Sequence, residues 1–557
     1  MSTKSKHIAV YMWMGILFVC AVSWSFQLTS FLHAKALALT AGLVCAVLMQ
    51  YGTGLLSLEG FRRFSPLWLG LLVWTATGFF TAHVLSFHIE RVVYLTLILL
   101  AASLATPVFS RPGGRVWLYR ALLASGATVG GLALLQYAGL IDFLFPVFPG
   151  YDQRAYSVFG NQNLLGGFMA LNLVLLVSVA GHIRQMRTGA FVVWLIIFSI
   201  LLGALLISGT RTAWLAAAVG CTVTITTCLP LHRAKRLLRR RHGWRATAVV
   251  VTTLLILTLG APLLSTRITH TFSADDTGGN LRLWFWTGAA RMIAARPVAG
   301  VGLGNHAYWS PHYQGQVLQG PLGDRLHHNE KHTVHAHAEP LEWFAETGLV
   351  GVVFLGWFLA KVFRRRRFET GALTALAVFA CFNTMSHSPP HLLAGLLLAG
   401  VSLPQPEGGA ICCTRRTAVM LAIATLLFSV VFVVTTIIPS VLLSRAEHVH
   451  IVGGKPEQHY LRALRWPWPS PRAHESYAIF LLDANRFDAA RLQLEQALEG
   501  MDTGRIHLLL AICAEARGDR EAVVKHAQAC LHRWPENRHA QALYEQYTQT
   551  QPTTPVH

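Results

Sequence analysis

The densest set of potentially reactive side chains lies in HHNEKHTVHAHAEPLEWFAETGLVG, residues 327–351. Its five histidines, at 327, 328, 332, 335 and 337, come just ahead of an apolar run. Imidazole titrates near neutral pH and is also the commonest metal ligand, so the cluster suits proton transfer or metal binding. His337 stands immediately before a helix expected over 340–361, with Pro340 acceptable in its first turn. A neutral imidazole there can take a proton from a hydroxyl as a general base. Two other readings compete: a zinc site drawn from His327, His328, His332, His335 and His337, and histidines that are simply exposed. The spacing matches no compact structural zinc pattern and cysteine ligands are absent, so no metal is expected.

Arginine supplies a second theme. Arg211, in ISGTRTAWLA (207–216), lies between two apolar runs with almost no loop to hold it. An arginine at a helix centre costs about 2.5–3.5 kcal/mol on insertion scales, so a place near the membrane boundary is expected. There it either snorkels to the headgroups or offers its planar fork to phosphate oxygens. GGNLRLWFWTGAARMIAARPVAGVGLGNH (278–306) reads as an amphipathic helix ending at Pro297, then a glycine-rich turn. It bears Arg282, Arg291 and Arg296, and Trp284, Phe285 and Trp286 are expected at the membrane interface. The helix either rests on the membrane through these aromatics or walls a polar cavity facing Arg211.

The elements that must position these groups are set by composition. Of 557 residues, 53% are apolar and 13% charged, against about 25% charged in an ordinary soluble chain. The formal charge of +20 sits in short blocks between apolar runs, the pattern of cytoplasmic loops and not of a nucleic-acid surface. Apolar stretches long enough to span lie near 8–31, 36–57, 66–85, 92–109, 116–139, 163–181, 190–208, 212–230 and 246–264. After a long polar interval come 340–361, 371–387, 389–404 and 417–439. Arg62 and Arg63, Arg111 and Arg115, Arg184 and Arg187, and the blocks at 232–245 and 361–368 follow every second helix, which puts the N-terminus in the cytoplasm. Arg415 and Arg416 belong inside by the same logic. That favours two helices between 371 and 404 over one broken helix, hence about 12–13 spans and an exported tail. The spans look nearly free of ionisable residues. The nine cysteines, several within apolar runs and Cys412 and Cys413 beside basic residues, suggest no disulfide framework.

The expected architecture is an all-α, polytopic membrane protein in four parts. These are N-terminal spans (1–264), a large outward loop (265–339), C-terminal spans (340–439) and a soluble helical tail (440–557). In the tail RWP recurs at 465–467 and 533–535, and 483–498 aligns with 515–531. A period near 34 is the tetratricopeptide signature. Such a stack is either a docking surface for a protein partner or a stabilising appendage.

Four stretches resemble the O-antigen ligase superfamily of polytopic glycan transferases: YSVFGNQNLLGGFMALNL (156–173), GTRTAWLA (209–216), LRLWFWTGAARMIAARPVAGVGLGNH (281–306) and HAEPLEWFAETGLVG (337–351). The last has a glycine eleven residues after His337, at Gly348, and another at Gly351. The resemblance covers about 150–404, and helical-repeat tails are typical of longer members. It implies cofactor- and metal-independent, inverting transfer from an undecaprenyl-pyrophosphate-linked glycan to a hydroxyl, at the periplasmic face of the bacterial inner membrane. The acceptor would be lipid A core, a protein or another glycan. By the same resemblance His337 would activate the acceptor, Arg211 and Arg282 would hold the pyrophosphate, and Asn161 and Asn163 would line the donor site. Ala338 replaces the polar residue usual after the histidine, which leaves Glu339 or a backbone group to orient the imidazole. MSHSPPHLLAG (385–395) keeps, at His387 and Ser388, the start of a motif of the protein O-oligosaccharyltransferase branch, without its acidic and aromatic continuation. The alternatives are an O-antigen polymerase of the same superfamily and a transporter of lipid-linked sugars with a histidine-rich proton or metal site.

Overall fold

The computed structural model describes residues 3–145, 154–179, 186–228, 243–271, 277–323, 333–365, 367–405 and 413–549. His327, His328, His332, Arg184, Cys412 and most of the basic block at 232–245 lie outside the described residues. The described chain is all-α, with no β-strand, and each apolar segment forms helix. Six helices are long and apolar enough to cross a membrane: Phe31–Gly52, Leu85–Phe109, Gly114–Tyr137, Thr188–Ile207, Glu339–Phe363 and Arg415–Ile451. Trp244–Leu259 and Ala261–Arg267, bent by 60°, add a seventh if counted as one broken span. His7–Val22, Gln162–Ser178, Thr370–Ala380 and Pro389–Ser402 are apolar but shorter.

Between helices in lipid there is little hydrophobic drive, so close packing of small residues must hold the bundle together. Leu85–Phe109 runs through its centre, and Ala101, Ala102, Ser103 and Ala105 on it are fully buried. Beside them a Cβ at Gly60 would lie 1.8 Å from the Ser103 carbonyl oxygen, and one at Gly400 would lie 2.5 Å from Thr106 Oγ1.

The two ends of the bundle differ chemically. At one end Arg63 Nη1 donates to the Gly400 carbonyl (2.7 Å) and Arg115 Nη2 to that of Val401 (2.5 Å). These cations meet the negative pole of the helix Pro389–Ser402. The same helix begins, about 21 Å away by its length, next to His387 at the other end, where the described loop residues 277–323 and 333–338 also lie.

That loop is built from two packed helices, Thr277–Ala295 and His306–Leu318. Its Pro297–Gly302 connection is fastened into a break in the helix Glu339–Phe363, where Gly348 adopts φ +62° and ψ −165°. The N–H groups of Leu349 and Val350, deprived of helical partners, donate to the carbonyls of Pro297 (2.9 Å) and Val298 (3.4 Å). The freed carbonyls of Ala345 and Glu346 accept from Val301 (2.9 Å) and Gly302 (3.0 Å). All four backbone groups stay satisfied, as burial requires.

The last span, Arg415–Ile451, leads to helical hairpins at the site end. Their first helices begin at 471, 504 and 538, intervals of 33 and 34 residues. Gln319 Nε2 of the loop donates to the His532 carbonyl (3.0 Å), and Trp468 Nε1 donates to Glu90 Oε1 (3.0 Å). The repeats therefore stand on the same side as the loop. The stretch 371–404 is two helices, Thr370–Ala380 and Pro389–Ser402, joined by a turn that carries His387.

Candidate functional site

His337 is held by its backbone and by an aromatic face. Its φ is +50°, uncommon for a residue with a Cβ, and its ring stacks on Phe285 with centroids 5.7 Å apart. One residue earlier, the N–H of Ala336 donates to Glu342 Oε2 (2.9 Å), which pins the approach to this bend. Burial, then the charges of His335 and Arg282, push the His337 imidazole down to about 4, so it is neutral at neutral pH. Glu339 does not stand behind it. Its carboxylate accepts from the Ser386 N–H (2.6 Å) and from Trp343 Nε1 (2.9 Å), and so fixes the turn that carries His387.

Glu342 organises the rest. Its Oε1 lies 3.0 Å from His335 Nδ1 and 2.9 Å from His387 Nε2. Arg91 Nη1 stands 3.2 Å from His387 Nδ1, and Arg91 Nη2 donates to Ser386 Oγ (2.6 Å). Guanidinium only donates, so His387 Nδ1 accepts and its proton is on Nε2, directed at Glu342. Burial and Arg91 together hold the His387 imidazole down at about 3. His335 goes the other way: burial opposes its charge, but the adjacent Glu342 carboxylate outweighs burial and raises its pKa. His306, fully buried, gives its Nδ1 to the Val334 carbonyl (3.0 Å), and burial lowers its pKa.

His335, His387 and Glu342 present ligand atoms within 4.8 Å of one another. A metal-bound imidazole normally donates its other N–H to a carboxylate or carbonyl. At His387 that other nitrogen meets a guanidinium donor instead, so the surroundings suit a proton network and not a cation.

A cleft of about 310 Å³ opens at this end, lined by Asn161, Asn163, His335, His337, Asn383 and His387 among others. Asn161 caps the helix Gln162–Ser178, its Oδ1 accepting from the N–H groups of Asn163 (2.8 Å) and Leu164 (3.2 Å). Arg211 opens the helix Arg211–Cys228 between two threonines that touch the cleft wall. Thr210 Oγ1 lies 3.4 Å from Asn163 Oδ1, and Thr212 Oγ1 accepts from Asn383 Nδ2 (3.0 Å). Gly209, φ +61°, leaves room for further basic groups: a Cβ there would meet Arg154 Cδ at 2.6 Å and Arg267 Nε at 3.6 Å. Arg282 acts on His337 electrostatically. Arg291 lies beside Gly320 of the loop, and Arg296 stands over the Trp309 ring at 5.0 Å while its Nη1 donates to the Thr81 carbonyl of the bundle (3.3 Å).

Two expectations need correction. Trp284 and Phe285 do not face the membrane interface. They are buried against Val317 of the second loop helix, Trp284 Nε1 donating to the Gln314 carbonyl (2.8 Å), because the loop has a core of its own. The spans are also not free of ionisable groups: Arg91, Glu339, Glu342 and Glu346 are buried at the site end of two of them. Glu90 and Arg91 interrupt an apolar run, and Glu342 follows His337 closely, so both pairs were visible as charges in unfavourable places. Their partnership was not.

The fold and site define a multi-pass, all-α membrane protein with its polar chemistry gathered at one end. Residues 196–356 match the family described as O-Antigen ligase, a segment that contains Arg211, the loop helices and the helix break at Gly348. That match supports a membrane glycan transferase of this superfamily, with a lipid-linked glycan donor and an acceptor as substrates. No curated protein matches. A solved structure titled "Crystal structure of APC/C hetero-tetramer Cut9-Hcn1" is similar at 12% identity, covering 92% of this chain and 90% of that one. Its TM-score of 0.19 is too low to bear on the fold.

Proposed function

We propose that the protein moves a glycan from an undecaprenyl-pyrophosphate donor to an acceptor hydroxyl at the periplasmic face of the bacterial inner membrane, with inversion and without a cofactor. The observation that carries this reading is the convergence of Asn161, Asn163, His337 and His387, remote in sequence, on one cleft. Arg211 and Arg282 bind the pyrophosphate and stabilise the charge that develops on it as the sugar leaves. Arg211 also stands at the N-terminus of its helix, whose positive pole favours an anion. Asn161 and Asn163 line the donor side, and Glu339 keeps the His387 turn in place. The acceptor's proton goes to a histidine of the cleft, and the motif singles out His337, neutral and uncharged at the working pH. The four parts, 1–264, 265–339, 340–439 and 440–557, divide the labour between bundle, loop and repeats, the repeats offering a docking surface to a protein partner.

The test is a deletion strain complemented with His337→Ala or Arg211→Ala protein, with membrane insertion checked. Both should accumulate unused lipid-linked glycan, and normal transfer by both would sink the reading. Mass spectrometry of lipopolysaccharide and periplasmic glycoproteins from the deletion strain separates lipid A core, protein and glycan acceptors.

A further inference from the structure

His335 and His387 do more than line the cleft. A second cavity, of about 390 Å³, lies against the same two side chains and is walled by His33, Glu90, Arg91, Tyr94 and Thr436. The two histidines, their ring centroids 4.1 Å apart, line both spaces together with Ser30 and Leu32, so they stand where the two spaces meet. An inverting displacement brings the attacking oxygen to the anomeric carbon from the side opposite the pyrophosphate, so donor and acceptor must reach one junction from two directions. The cleft, with its asparagines and neighbouring arginines, suits the donor. The second cavity is coupled to the repeats through Trp468 and Glu90 and to the last span through Thr436.

We infer that the second cavity admits the acceptor hydroxyl and that His335 takes its proton at Nε2. Glu342, behind it, holds Nδ1–H at 3.0 Å, which fixes the tautomer and leaves Nε2 with no hydrogen-bond partner among the described residues. The His335 side chain is 30% exposed while that of Glu342 is 3% exposed, as a base and its buried orienting group should be. The groups facing the imidazole are Glu339, Glu342, His306, His337, His387 and Arg91, and the balance of their charges with burial raises its proton affinity. His337 is the weaker base for the opposite reason. In the step, the hydroxyl proton passes to Nε2 as its oxygen bonds the anomeric carbon. The bond from that carbon to the pyrophosphate oxygen breaks, and the lipid pyrophosphate leaves with the electron pair. The inference rests on the proposed glycan transfer and moves the proton acceptor from His337 to His335, leaving His337 beside Arg282 on the donor side.

Membrane vesicles from the source bacterium, which hold the native donor and acceptor, give the test. The deletion strain would carry full-length wild-type, His335→Gln, Glu342→Gln or Ala307→Trp protein, and transfer would be followed between about pH 5.5 and 8.5. Wild-type transfer should fail on the acid side with a midpoint above about 6.5, the ordinary histidine value. Glu342→Gln should move that midpoint to lower pH, and His335→Gln should slow transfer by about 100-fold or more. Ala307→Trp, at the wall of the second cavity, should slow transfer too. Retention of radiolabelled lipid-linked glycan by the purified proteins should be unchanged in Ala307→Trp, whose site lines only the second cavity. Transfer by His335→Gln above half the wild-type rate, or an unmoved acid midpoint in Glu342→Gln, overturns the inference and leaves the transferase reading intact. Wild-type vesicles that convert no more donor than deletion vesicles overturn both.

Discussion

Gly348 and Val298 meet backbone to backbone: a Cβ on Gly348 would lie 2.1 Å from the Val298 carbonyl oxygen. Gly348 is also the point at which the helix after His337 breaks and receives the loop connection. The histidine motif and the loop motif are thereby one structural unit.

Gly348→Ala should undo that unit. The backbone conformation there is essentially confined to glycine and costs about 1–3 kcal/mol for other residues, before the clash is counted. The expected result is loss of transfer with increased protease access to the loop 277–323. Gly356→Ala in the same helix, where a Cβ meets nothing within 4 Å, is the control. Equal activity of the two variants would contradict the role assigned to the break.

Asn161 separates a structural role from a binding one. Asn161→Ala removes the helix cap and should cost about 1 kcal/mol of stability. Asn161→Asp keeps a capping oxygen but adds a negative charge to the cleft. Its thermal stability should match wild type while its KM for the pyrophosphate donor rises by about tenfold, equivalent to about 1.4 kcal/mol. An unchanged donor KM in Asn161→Asp would reduce Asn161 to a cap.

The chelator experiment bears on the trio of His335, Glu342 and His387. Because Arg91 faces His387 Nδ1 at 3.2 Å, the network is built for protons. Transfer by membranes treated with a chelator should equal that of untreated membranes. Loss of activity that zinc alone restores would return the trio to the metal reading.

What the sequence revealed and what it hid follow a physical divide. The helices were legible because lipid imposes long apolar runs, and the repeat because its period survives in sequence. His337 stood out because it directly precedes an expected helix, while Asn161 and Gly348 were singled out only by the stretches that resemble the family. Arg91, Ser386 and Glu342 were not legible, since their meaning lies in contacts between two helices and a turn that are far apart in sequence. The partners of Glu339 were hidden for the same reason, being Trp343 one turn on and Ser386 far along the chain. The inward turn of Trp284 and Phe285 depended on a second loop helix that their own segment does not announce.

The repeats should be acid-sensitive in a defined window. Burial lowers the His526 imidazole to about 4, with His507 and Lys525 adding to the effect. The unfolded chain binds a proton at about 6.5, so between about 6.5 and 4 the unfolded state holds more protons than the folded one. Stability then falls as pH drops through that range. Asp502, held down at about 2 by hydrogen bonds from His507 and Arg533 despite opposing burial, adds a second loss only below its ordinary value of 3.8. Hydrogen exchange in the full-length protein should show the helices Gly504–Ala516 and Arg520–Arg533 losing protection from about pH 6.5 downward, ahead of the bundle. His526→Gln should flatten the upper part of that loss and leave the lower part, due to Asp502, in place. A variant whose protection still falls between about 6.5 and 4 would assign the acid sensitivity to another group.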